Sequence, residues 1–419
     1  MSEPRGSESP EHARHPATGG GLGPVGEAWS GLPPIVRRLL PLGVVLALAL
    51  AYPYIVSDLR GFGVAGDFFP QLSSVVIILV FTMMAVGLNV VVGYCGLLDL
   101  GYVAFYAAGA YTAGWLASGH FQQVNFHLGS VGISSEAAGI HISLFLVLLL
   151  AGVFTAAAGI VIGLPTLRLR GDYLAIVTLG FGEIIPQVVR NGDDFGGFNA
   201  TNGTFGINPI DSPGFGTSLS DAVGLPASFQ QSFQRERLFY WSILALILFT
   251  VFCCVRLRDS RLGRAWIAIR EDETAAAAMG IPLMRTKTWA YAIGAFFGGI
   301  AGAFYASFKS GAFPSDFFFN ISVFLLCMVI LGGLGSVWGV VAGGVLLGWL
   351  NVEGLAVLGS KFNDAAGTNI EIAKYQFGIY GAIIVVMMLF RPTGLIPEQR
   401  RKRELEEGVH DESLYEVSK

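Results

Sequence analysis

The sequence predicts an all-α polytopic membrane protein with about ten transmembrane or part-membrane helices. Composition is the first reason, because 53% of the 419 residues are hydrophobic, only 13% are charged, and the mean hydropathy is +0.60. A soluble domain carries about 25% charged residues, so lipid is the expected solvent for much of this surface. The spacing of the long apolar runs and the placement of the basic residues are the other two reasons.

Apolar runs of membrane-spanning length recur along the chain. A bilayer core about 30 Å thick requires roughly 20 apolar residues in helical conformation. The strong runs cover 39–56, 74–92, 143–164, 238–255 and 289–306. Shorter runs, or runs interrupted by glycine, cover 97–117, 173–189, 321–334, 337–350 and 375–390.

The basic residues indicate the orientation. With the N-terminus in the cytoplasm, an even number of spans returns the C-terminus to the cytoplasm. Most Lys and Arg residues near the span ends then lie on the inner side, as the positive-inside rule requires. We therefore predict a disordered cytoplasmic tail over 1–36, a transmembrane domain over 37–397 and a charged cytoplasmic tail over 398–419.

Two connections are long. The outer one, 191–237, is rich in glycine, asparagine, aspartate and serine, and is predicted to be a periplasmic loop that either faces a soluble partner or merely connects two spans. The inner one, 257–286, is dense in charge. Its Leu262, Trp266 and Ile269 fall on one face of a helix.

The second half of the inner connection has its own helix signals. Glu271, Asp272 and Glu273 precede an alanine run and suit the start of a short helix through its dipole. Gly280 and Pro282 end that helix. We predict two short helices on the cytoplasmic face, an arrangement that fits docking onto a partner better than solvation alone.

A few polar side chains fall at membrane depth. Asp99 and Glu183 are carboxylates in apolar surroundings, and an ionised carboxylate in hydrocarbon costs several kcal/mol, so each should face protein or a water-filled cavity. Each is either an element of a gate or pathway, or a helix cap; for Asp99, between two glycines, the cap is favoured. Asn89 either lines a pathway or makes an interhelical hydrogen bond.

Glycines interrupt two of the apolar stretches. The first break contains Gly93 and Gly96, the second contains Gly332, Gly333 and Gly335, and a helix rich in small residues follows each. Transporters present backbone groups to substrate at broken helices, so both breaks are candidates for the translocation path. The pattern Gly294-x-x-x-Gly298-x-x-x-Gly302 instead indicates close helix packing.

Several classes of function are excluded by the sequence. It contains no Gly-x-x-x-x-Gly-Lys-Ser/Thr phosphate loop, no Gly-x-Ser-x-Gly element and no His-Glu-x-x-His motif, so we expect no enzymatic activity, no cofactor and no metal site in this chain. A net charge of −4 argues against a nucleic-acid partner. An ion-coupled secondary transporter and a channel remain alternatives, but neither gives the 257–286 connection a docking role.

Several motifs together resemble the LivM-type permease subunit of branched-chain amino acid ABC importers. They are Gly87-Leu-Asn-Val-Val-Val-Gly-Tyr-Cys-Gly-Leu-Leu-Asp-Leu-Gly, Leu164-Pro-Thr-Leu-Arg-Leu-Arg-Gly-Asp-Tyr, Gly263-Arg-Ala-Trp-Ile-Ala-Ile-Arg-Glu-Asp-Glu, Ile330-Leu-Gly-Gly-Leu-Gly-Ser and Arg391-Pro-Thr-Gly-Leu. The resemblance covers residues 87–397 and implies that the transmembrane domain, 37–397, is a permease domain.

The resemblance also implies a function and a set of partners. The function is import of leucine, isoleucine or valine across a bacterial inner membrane, driven by ATP and magnesium bound to partner subunits. The partners are a homologous LivH-type permease, two cytoplasmic ATPases, a periplasmic or extracellular substrate-binding protein, and lipid. The alternative within the superfamily is a permease for urea or short amides.

In this family the inner connection 257–286 is the coupling loop. The residues expected to couple it to the ATPase are Trp266, Arg270, Glu271, Asp272, Met279 and Gly280. Trp266 and Met279 are expected to fill apolar grooves of the ATPase, and Arg270, Glu271 and Asp272 to pair with its charges. The alternative is that these side chains pack only against helices of their own chain.

Overall fold

A computed structural model describes residues 34–61, 66, 68–129, 137–169, 171–194, 196–211, 232–367 and 371–396. Both predicted tails lie almost wholly outside these residues, as does 212–231 of the predicted outer loop. The chain divides into two compact units between Tyr54 and Ile55. In the first unit the described residues belong to one helix, and every other element lies in the second.

The described chain is almost entirely helical. The helices are α1 Pro34–Arg60, α2 Leu72–Asn89, α3 Val103–Leu116, α4 Leu144–Thr166, α5 Asp172–Arg190, α6 Ser232–Asp259, α7 Arg261–Glu271, α8 Glu273–Ala278, α9 Leu283–Lys309, α10 Phe319–Gly332, α11 Val337–Trp349, α12 Leu355–Ala366 and α13 Gln376–Phe390. A π-helical turn extends α2 over Val90–Tyr94, and a second one, Leu350–Gly354, joins α11 to α12. Short 3₁₀ turns cover Gly203–Phe205, Pro314–Asp316 and Ile372–Tyr375.

The predicted fold class is confirmed. Within the described residues, 7 helices are long and apolar enough to cross a membrane: Leu72–Tyr94, Leu144–Thr166, Tyr173–Arg190, Arg235–Asp259, Leu283–Lys309, Pro314–Gly332 and Val337–Asp364. Shorter apolar helices cover Val45–Val56 and Gln376–Phe390. With α3, these helices account for all the apolar runs that the sequence singles out.

Several boundaries differ from the sequence prediction. Helix α1 begins at Pro34, inside the predicted tail, and α6 begins at Ser232, inside the predicted outer loop. The inner connection is shorter than predicted, because α6 continues to Asp259 and α9 already begins at Leu283. The run predicted over 337–350 continues through a π-helical turn as far as Asp364, past Gly354 and Gly359, because no proline interrupts it there.

Helices α2 and α9 form the core of the second unit, with 78% of the most apolar stretch of each buried. The glycine pattern of α9 explains how its neighbours approach so closely. Gly298 lies against the Tyr102 ring and the Phe105 Cβ atom at the beginning of α3. A Cβ atom at Gly302 would lie only 2.0 Å from the Tyr106 carbonyl oxygen. The glycine stripe therefore serves close helix packing, as the sequence predicts.

Glycines play the same role on α11. A Cβ at Gly339 would lie 2.3 Å from the Gly332 carbonyl oxygen of α10, and one at Gly343 would lie 2.6 Å from the Met328 carbonyl oxygen. On another face of α11, Gly344 packs on Thr82 of α2. Helix α11 is thus wedged between α2 and α10, which holds the two glycine breaks next to each other.

A small sheet joins the loops at the end of the unit opposite the inner connection. Its strands are β1 Ala117–Ser118, β2 Asn125–Leu128 and β3 Gly139–Ile142, in the order β1-β3-β2. Strand β3 pairs antiparallel with β1, placing Ala117 opposite His141, and parallel with β2. The sequence analysis missed this sheet, because two- and four-residue strands carry no readable periodicity.

We predict that Gly302→Ala destabilises the protein by about 1–3 kcal/mol, because the added methyl group would overlap the backbone of α3. Gly378→Ala on α13 is the matched control, since a Cβ there meets nothing within 4 Å. That control should be neutral or stabilising by up to about 1 kcal/mol, through helix propensity. Thermal unfolding of the two variants in the same detergent measures the difference, and equal unfolding temperatures would refute the close-packing assignment.

Candidate functional site

The inner connection forms the two short helices that the sequence predicts. The Ser260 hydroxyl caps α7 by accepting the Gly263 amide hydrogen at 3.1 Å. The Asp272 carboxylate caps α8, where its Oδ1 accepts from the Thr274 and Ala275 amides at 2.7 and 2.9 Å. Because Asp272 closes α7 and opens α8, the two helices share one rigid corner.

Two contacts attach this helix pair to the beginning of α9. The Trp266 ring is completely buried, and its Nε1 donates to the Thr286 carbonyl oxygen at 2.8 Å. The Lys287 ammonium lies 2.7 Å from Glu273 Oε1, and only 3% of the Lys287 side chain is exposed. A buried ion pair holds its geometry tightly, since separating the charges would leave Lys287 without a counter-ion.

Arg270 makes a third attachment, at the first glycine break. Its Nη1 donates to the Gly93 carbonyl oxygen at 2.6 Å, at the end of the π-helical turn that extends α2. Its aliphatic stem covers Gly96, where a Cβ would lie 2.8 Å from Arg270 Cγ. Gly96 also has a positive φ of 72°, which favours glycine.

These contacts change the roles expected of two coupling residues. Trp266 was expected to fill a groove of a partner, but it is buried because its indole satisfies a carbonyl of its own chain. Arg270 was expected to pair with a partner's charges, but its guanidinium is turned inward to Gly93. The predicted coupling residues that remain exposed are Glu271, Asp272, Met279 and Gly280, and Met279 is 85% exposed.

The structure brings the two glycine breaks into contact. The Asn89 side chain bridges them, because its Oδ1 accepts the Gly335 amide hydrogen at 3.0 Å. A Cβ at Gly93 would lie 1.9 Å from Asn89 Oδ1 and 2.7 Å from the Gly335 nitrogen. The residues predicted to line a path at this point are therefore packed against one another in this structure.

The last described residues, 391–396, pack on the second glycine break. The Leu395 amide donates to the Leu331 carbonyl oxygen at 2.9 Å, and the Ile396 amide donates to that of Gly332 at 3.2 Å. Gly333 has a φ of 117°, and a Cβ there would lie 3.0 Å from the Thr393 carbonyl oxygen. The Arg391-Pro-Thr-Gly-Leu motif thus packs directly on the Gly332–Gly335 break.

Asp99 lies at the beginning of α3 and is fully buried. Its Oδ1 accepts the Gly101 amide hydrogen at 2.8 Å, and the Tyr291 hydroxyl of α9 lies beside the same carboxyl. Side chains of neighbouring helices accept from nearby amides. The Leu100 amide donates to Thr178 Oγ1 at 3.0 Å, and the Val103 amide donates to Ser322 Oγ at 2.9 Å. This is the geometry of a capped helix start.

Glu183 is placed quite differently, on an exposed face of α5. Gln187, one turn further on, is exposed on the same face. A second face of α5 carries Thr178 and Gly182, which pack on the Asp99–Gly101 segment. Asp99 therefore lies next to one face of α5, whereas Glu183 is exposed on another face of that helix, and the two carboxylates do not form one site.

The outer loops form an open cavity of about 1160 Å³ between 119–124, 137–141 and 197–211. His141 Nδ1 lies 2.6 Å from Asp211 Oδ2 in its wall, and the His127 ring stacks on His141. Burial raises the pKa of the Asp211 carboxyl, and the neighbouring His141 opposes that rise. Among the described residues, no group of three or more His, Cys, Asp or Glu side chains could hold a metal ion.

Sequence reasoning missed the most important partner of the inner loop. The sequence predictions assign no role to Lys287, although it lies at the beginning of an apolar span and shortly after an acidic helix start. That position was the available signal, because a lysine next to an apolar run needs a counter-charge once the run is buried. Thr178 and Ser322 gave no signal, since their roles depend on which helices meet.

We predict that Glu273→Ala destabilises the inner loop by about 3–5 kcal/mol, because it leaves the buried Lys287 ammonium without a partner. Glu371→Ala is the matched control, since the Lys374–Glu371 pair is about 70% exposed on both sides, and it should cost at most about 1 kcal/mol. Thermal unfolding and limited proteolysis at 260–282 measure both variants. Equal proteolysis of the two variants would show that the ion pair does not hold the loop.

Comparison with known proteins matches most of this chain to one family. The model of a family described as branched-chain amino acid transport system / permease component matches residues 72–389. The chain is 36% identical over 383 residues to the high-affinity branched-chain amino acid transport system permease protein LivM of Salmonella typhimurium, covering 89% of this chain and 78% of that protein. The LivM protein of Escherichia coli is 35% identical over 384 residues, with the same coverage.

A second kind of permease matches part of the chain. The high-affinity branched-chain amino acid transport system permease protein LivH of Escherichia coli is 27% identical over 176 residues, which is 42% of this chain and 51% of that protein. No solved structure matches the chain. The family match over 72–389 and the two LivM relatives agree with the helical architecture described above, and the chain belongs to the family of permease components of branched-chain amino acid transport systems.

Proposed function

We propose that this chain is one of two membrane-spanning subunits of a bacterial ATP-driven importer that moves leucine, isoleucine or valine into the cytoplasm. The family and the names of the LivM relatives support this substrate class. The chain resides in the inner membrane with both termini in the cytoplasm, as the distribution of basic residues favours. It hydrolyses no ATP itself; ATP and magnesium bind to partner subunits.

The inner loop is the observation that carries this proposal. Helices α7 and α8 are fixed from within by Trp266, Arg270 and Lys287, yet they leave Met279 and Gly280 exposed. A methionine that is 85% exposed at the end of α8, on a rigidly attached helix pair, is unfavourable in a free loop and well placed to bind an apolar groove of a partner. That partner is the pair of cytoplasmic ATPase subunits, and Glu271 supplies a charge at the rim.

The other partners follow from the family and from the opposite end of the unit. The second permease subunit is of the LivH type, which the partial match to LivH supports. A soluble binding protein releases its amino acid at the outer end, where the cavity of about 1160 Å³ lies between the sheet and the 197–211 segment.

The exposed face of α5 lines the path that the two permease subunits share. Glu183 lies near the middle of the 18-residue span Tyr173–Arg190. A carboxylate facing lipid at that depth would cost several kcal/mol, so this face meets water or protein. Gly180, one turn before Glu183, has open space around it and allows another helix to approach.

An ion-coupled mechanism finds less support. It requires ion ligands at broken helices, and the sequence singles out Asp99 and Glu183 as candidates for that role. Asp99 is bound to the Gly101 amide and buried, whereas Glu183 is exposed on another face of α5. Two carboxylates that do not converge cannot share one ion.

We predict ATP-dependent uptake of radiolabelled leucine into proteoliposomes that hold this chain, its partner permease and ATPases, with binding protein outside. Met279→Asp should reduce uptake and weaken co-purification of the ATPases about tenfold, because it places a charge in an apolar contact. Phe205→Asp is the control, since Phe205 is 77% exposed in the outer 196–211 segment and should leave ATPase binding unchanged.

Other outcomes of that experiment discriminate between the alternatives. Uptake that persists without ATP or ATPases would refute the importer and favour a secondary transporter. ATP-dependent movement of urea without leucine uptake would keep the architecture and replace the substrate. Full ATPase binding by Met279→Asp would show that the ATPases dock elsewhere.

We further predict that Glu183→Cys reacts with a membrane-impermeant methanethiosulfonate reagent at least about tenfold faster than Leu149→Cys, because only a thiol in water forms the reactive thiolate. Leu149 is the matched control, since it is 53% exposed on α4, a helix that carries no charged residue. Reaction of the unsubstituted chain gives the background. Equally slow reaction at both positions in the assembled complex would place Glu183 outside the path.

A further inference from the structure

We infer that Arg270 is a positioning residue that links the inner loop to both glycine breaks, so that a movement of the loop displaces Gly93, Asn89 and Gly335 together. This inference rests on the proposed function, in which ATPase subunits move the loop. It goes further, because it names the joint through which that movement enters the membrane domain. The joint is formed by Arg270, Gly93, Asn89 and Gly335.

The first step is that the loop moves as one body. Helices α7 and α8 share the Asp272 corner, and both are attached to α9, through Trp266–Thr286 and Glu273–Lys287. A force applied at the exposed Met279 therefore moves the whole loop instead of deforming it. It reaches the beginning of α9 through these two contacts, and it reaches α2 through Arg270.

The second step is the contact between Arg270 and the end of α2. The last carbonyl groups of a helix have no partner within that helix, and a cation there also meets the negative end of the helix dipole. The Gly93 carbonyl is such a group, and Arg270 Nη1 binds it at 2.6 Å. The side chain lies between two glycines, since it also covers Gly96, and a Cβ at Gly96 would collide with it.

The third step connects the two breaks. Asn89 lies one helical turn before Gly93, and its Oδ1 accepts the Gly335 amide hydrogen at 3.0 Å. Gly93 fits against both, because a Cβ there would lie 1.9 Å from Asn89 Oδ1 and 2.7 Å from the Gly335 nitrogen. Close-packed groups cannot move independently, so a displacement of Gly93 shifts Gly335 as well.

The joint also contains one buried donor that is not satisfied in this structure. Asn89 is 1% exposed, and its Nδ2 has no hydrogen-bond partner among the described residues. A buried donor without a partner is unfavourable, and a rearrangement of the two breaks can supply an acceptor. The π-helical turn beside it is the kind of irregularity that occurs at functional sites.

The test uses the assembled complex in proteoliposomes, with binding protein outside and ATP inside. Arg270→Met should lower the number of leucine molecules transported per ATP hydrolysed by about tenfold, which is within the usual range of coupling between two sites. ATP hydrolysis and co-purification of the ATPases should persist, because Arg270 faces its own chain. The transport ratio of Arg270→Lys should lie between those of Arg270→Met and the unsubstituted chain, since an ammonium keeps the charge but lacks the planar donor geometry of a guanidinium.

Arg264→Met is the matched control. Arg264 lies on the same helix and is exposed, and its Nη1 donates to the nearby Asp259 carbonyl oxygen at 3.0 Å. This variant should keep the unsubstituted ratio of transport to hydrolysis. If Arg270→Met does not assemble, Arg270→Lys and Gly93→Ala, both compared at equal ATPase content, address the same joint from its two sides.

Three outcomes would overturn the inference. The first is an unchanged transport ratio in Arg270→Met and Arg270→Lys. The second is a parallel loss of transport, hydrolysis and thermal stability, which is what a purely structural contact would give. The third is an equal loss in Arg264→Met. Absence of ATP-dependent uptake by the unsubstituted complex is a separate result, because it refutes the proposed function rather than the joint.

Discussion

One requirement governs this structure: backbone polar groups must be satisfied where a helix is interrupted inside a membrane domain. Lipid offers no hydrogen bonds, so every amide and carbonyl released at a break must find a partner in the protein. The Gly93 carbonyl finds the Arg270 guanidinium, and the Gly335 amide finds the Asn89 side chain. The beginning of α3 is served in the same way, by Asp99, Thr178 and Ser322. Each break is therefore tied to a particular neighbouring helix.

This requirement explains why polar side chains and glycines occur together. A side-chain donor reaches a backbone carbonyl only if the chain carries no Cβ in its way, as at Gly93 and Gly96. The same absence of side chains lets α3 approach α9 at Gly302, and α11 approach α10 at Gly339. Close packing then compensates for the lack of a hydrophobic driving force between helices in lipid. The absence of side chains at these glycines therefore has two effects: helices pack closely into a rigid core, and neighbouring side chains can reach the backbone at the breaks.

In the inner loop, backbone capping and close packing occur together with the charged side chain of Lys287. Lys287 is buried at the beginning of α9 and is neutralised by Glu273 from α8, so that the inner loop is fixed to α9 at this point. Trp266 fills the space beside it and gives its only donor to Thr286. Met279 remains exposed at the end of α8. An apolar side chain on a rigidly attached helix is well suited to bind a groove of a partner.

Much of this protein could be predicted from its sequence. The helical membrane fold follows from the length and spacing of the apolar runs, and the α7–α8 pair follows from the Leu262-Trp266-Ile269 spacing and the acidic start at Asp272. These features are local, because a hydrophobic period or a helix cap is set by residues a few positions apart. The family could likewise be predicted, since its motifs are continuous stretches of sequence.

Only the tertiary structure decided which way the key side chains face. The sequence marked Arg270 and Asn89 as noteworthy, but it could not place Gly93 beside Gly335, 242 positions later in numbering. It equally could not distinguish buried Asp99 from exposed Glu183, since both are carboxylates in apolar runs. The reason is physical: capping and ion pairing act over about 3 Å in space, whereas the partners that satisfy them come from helices that meet only once the whole domain is packed.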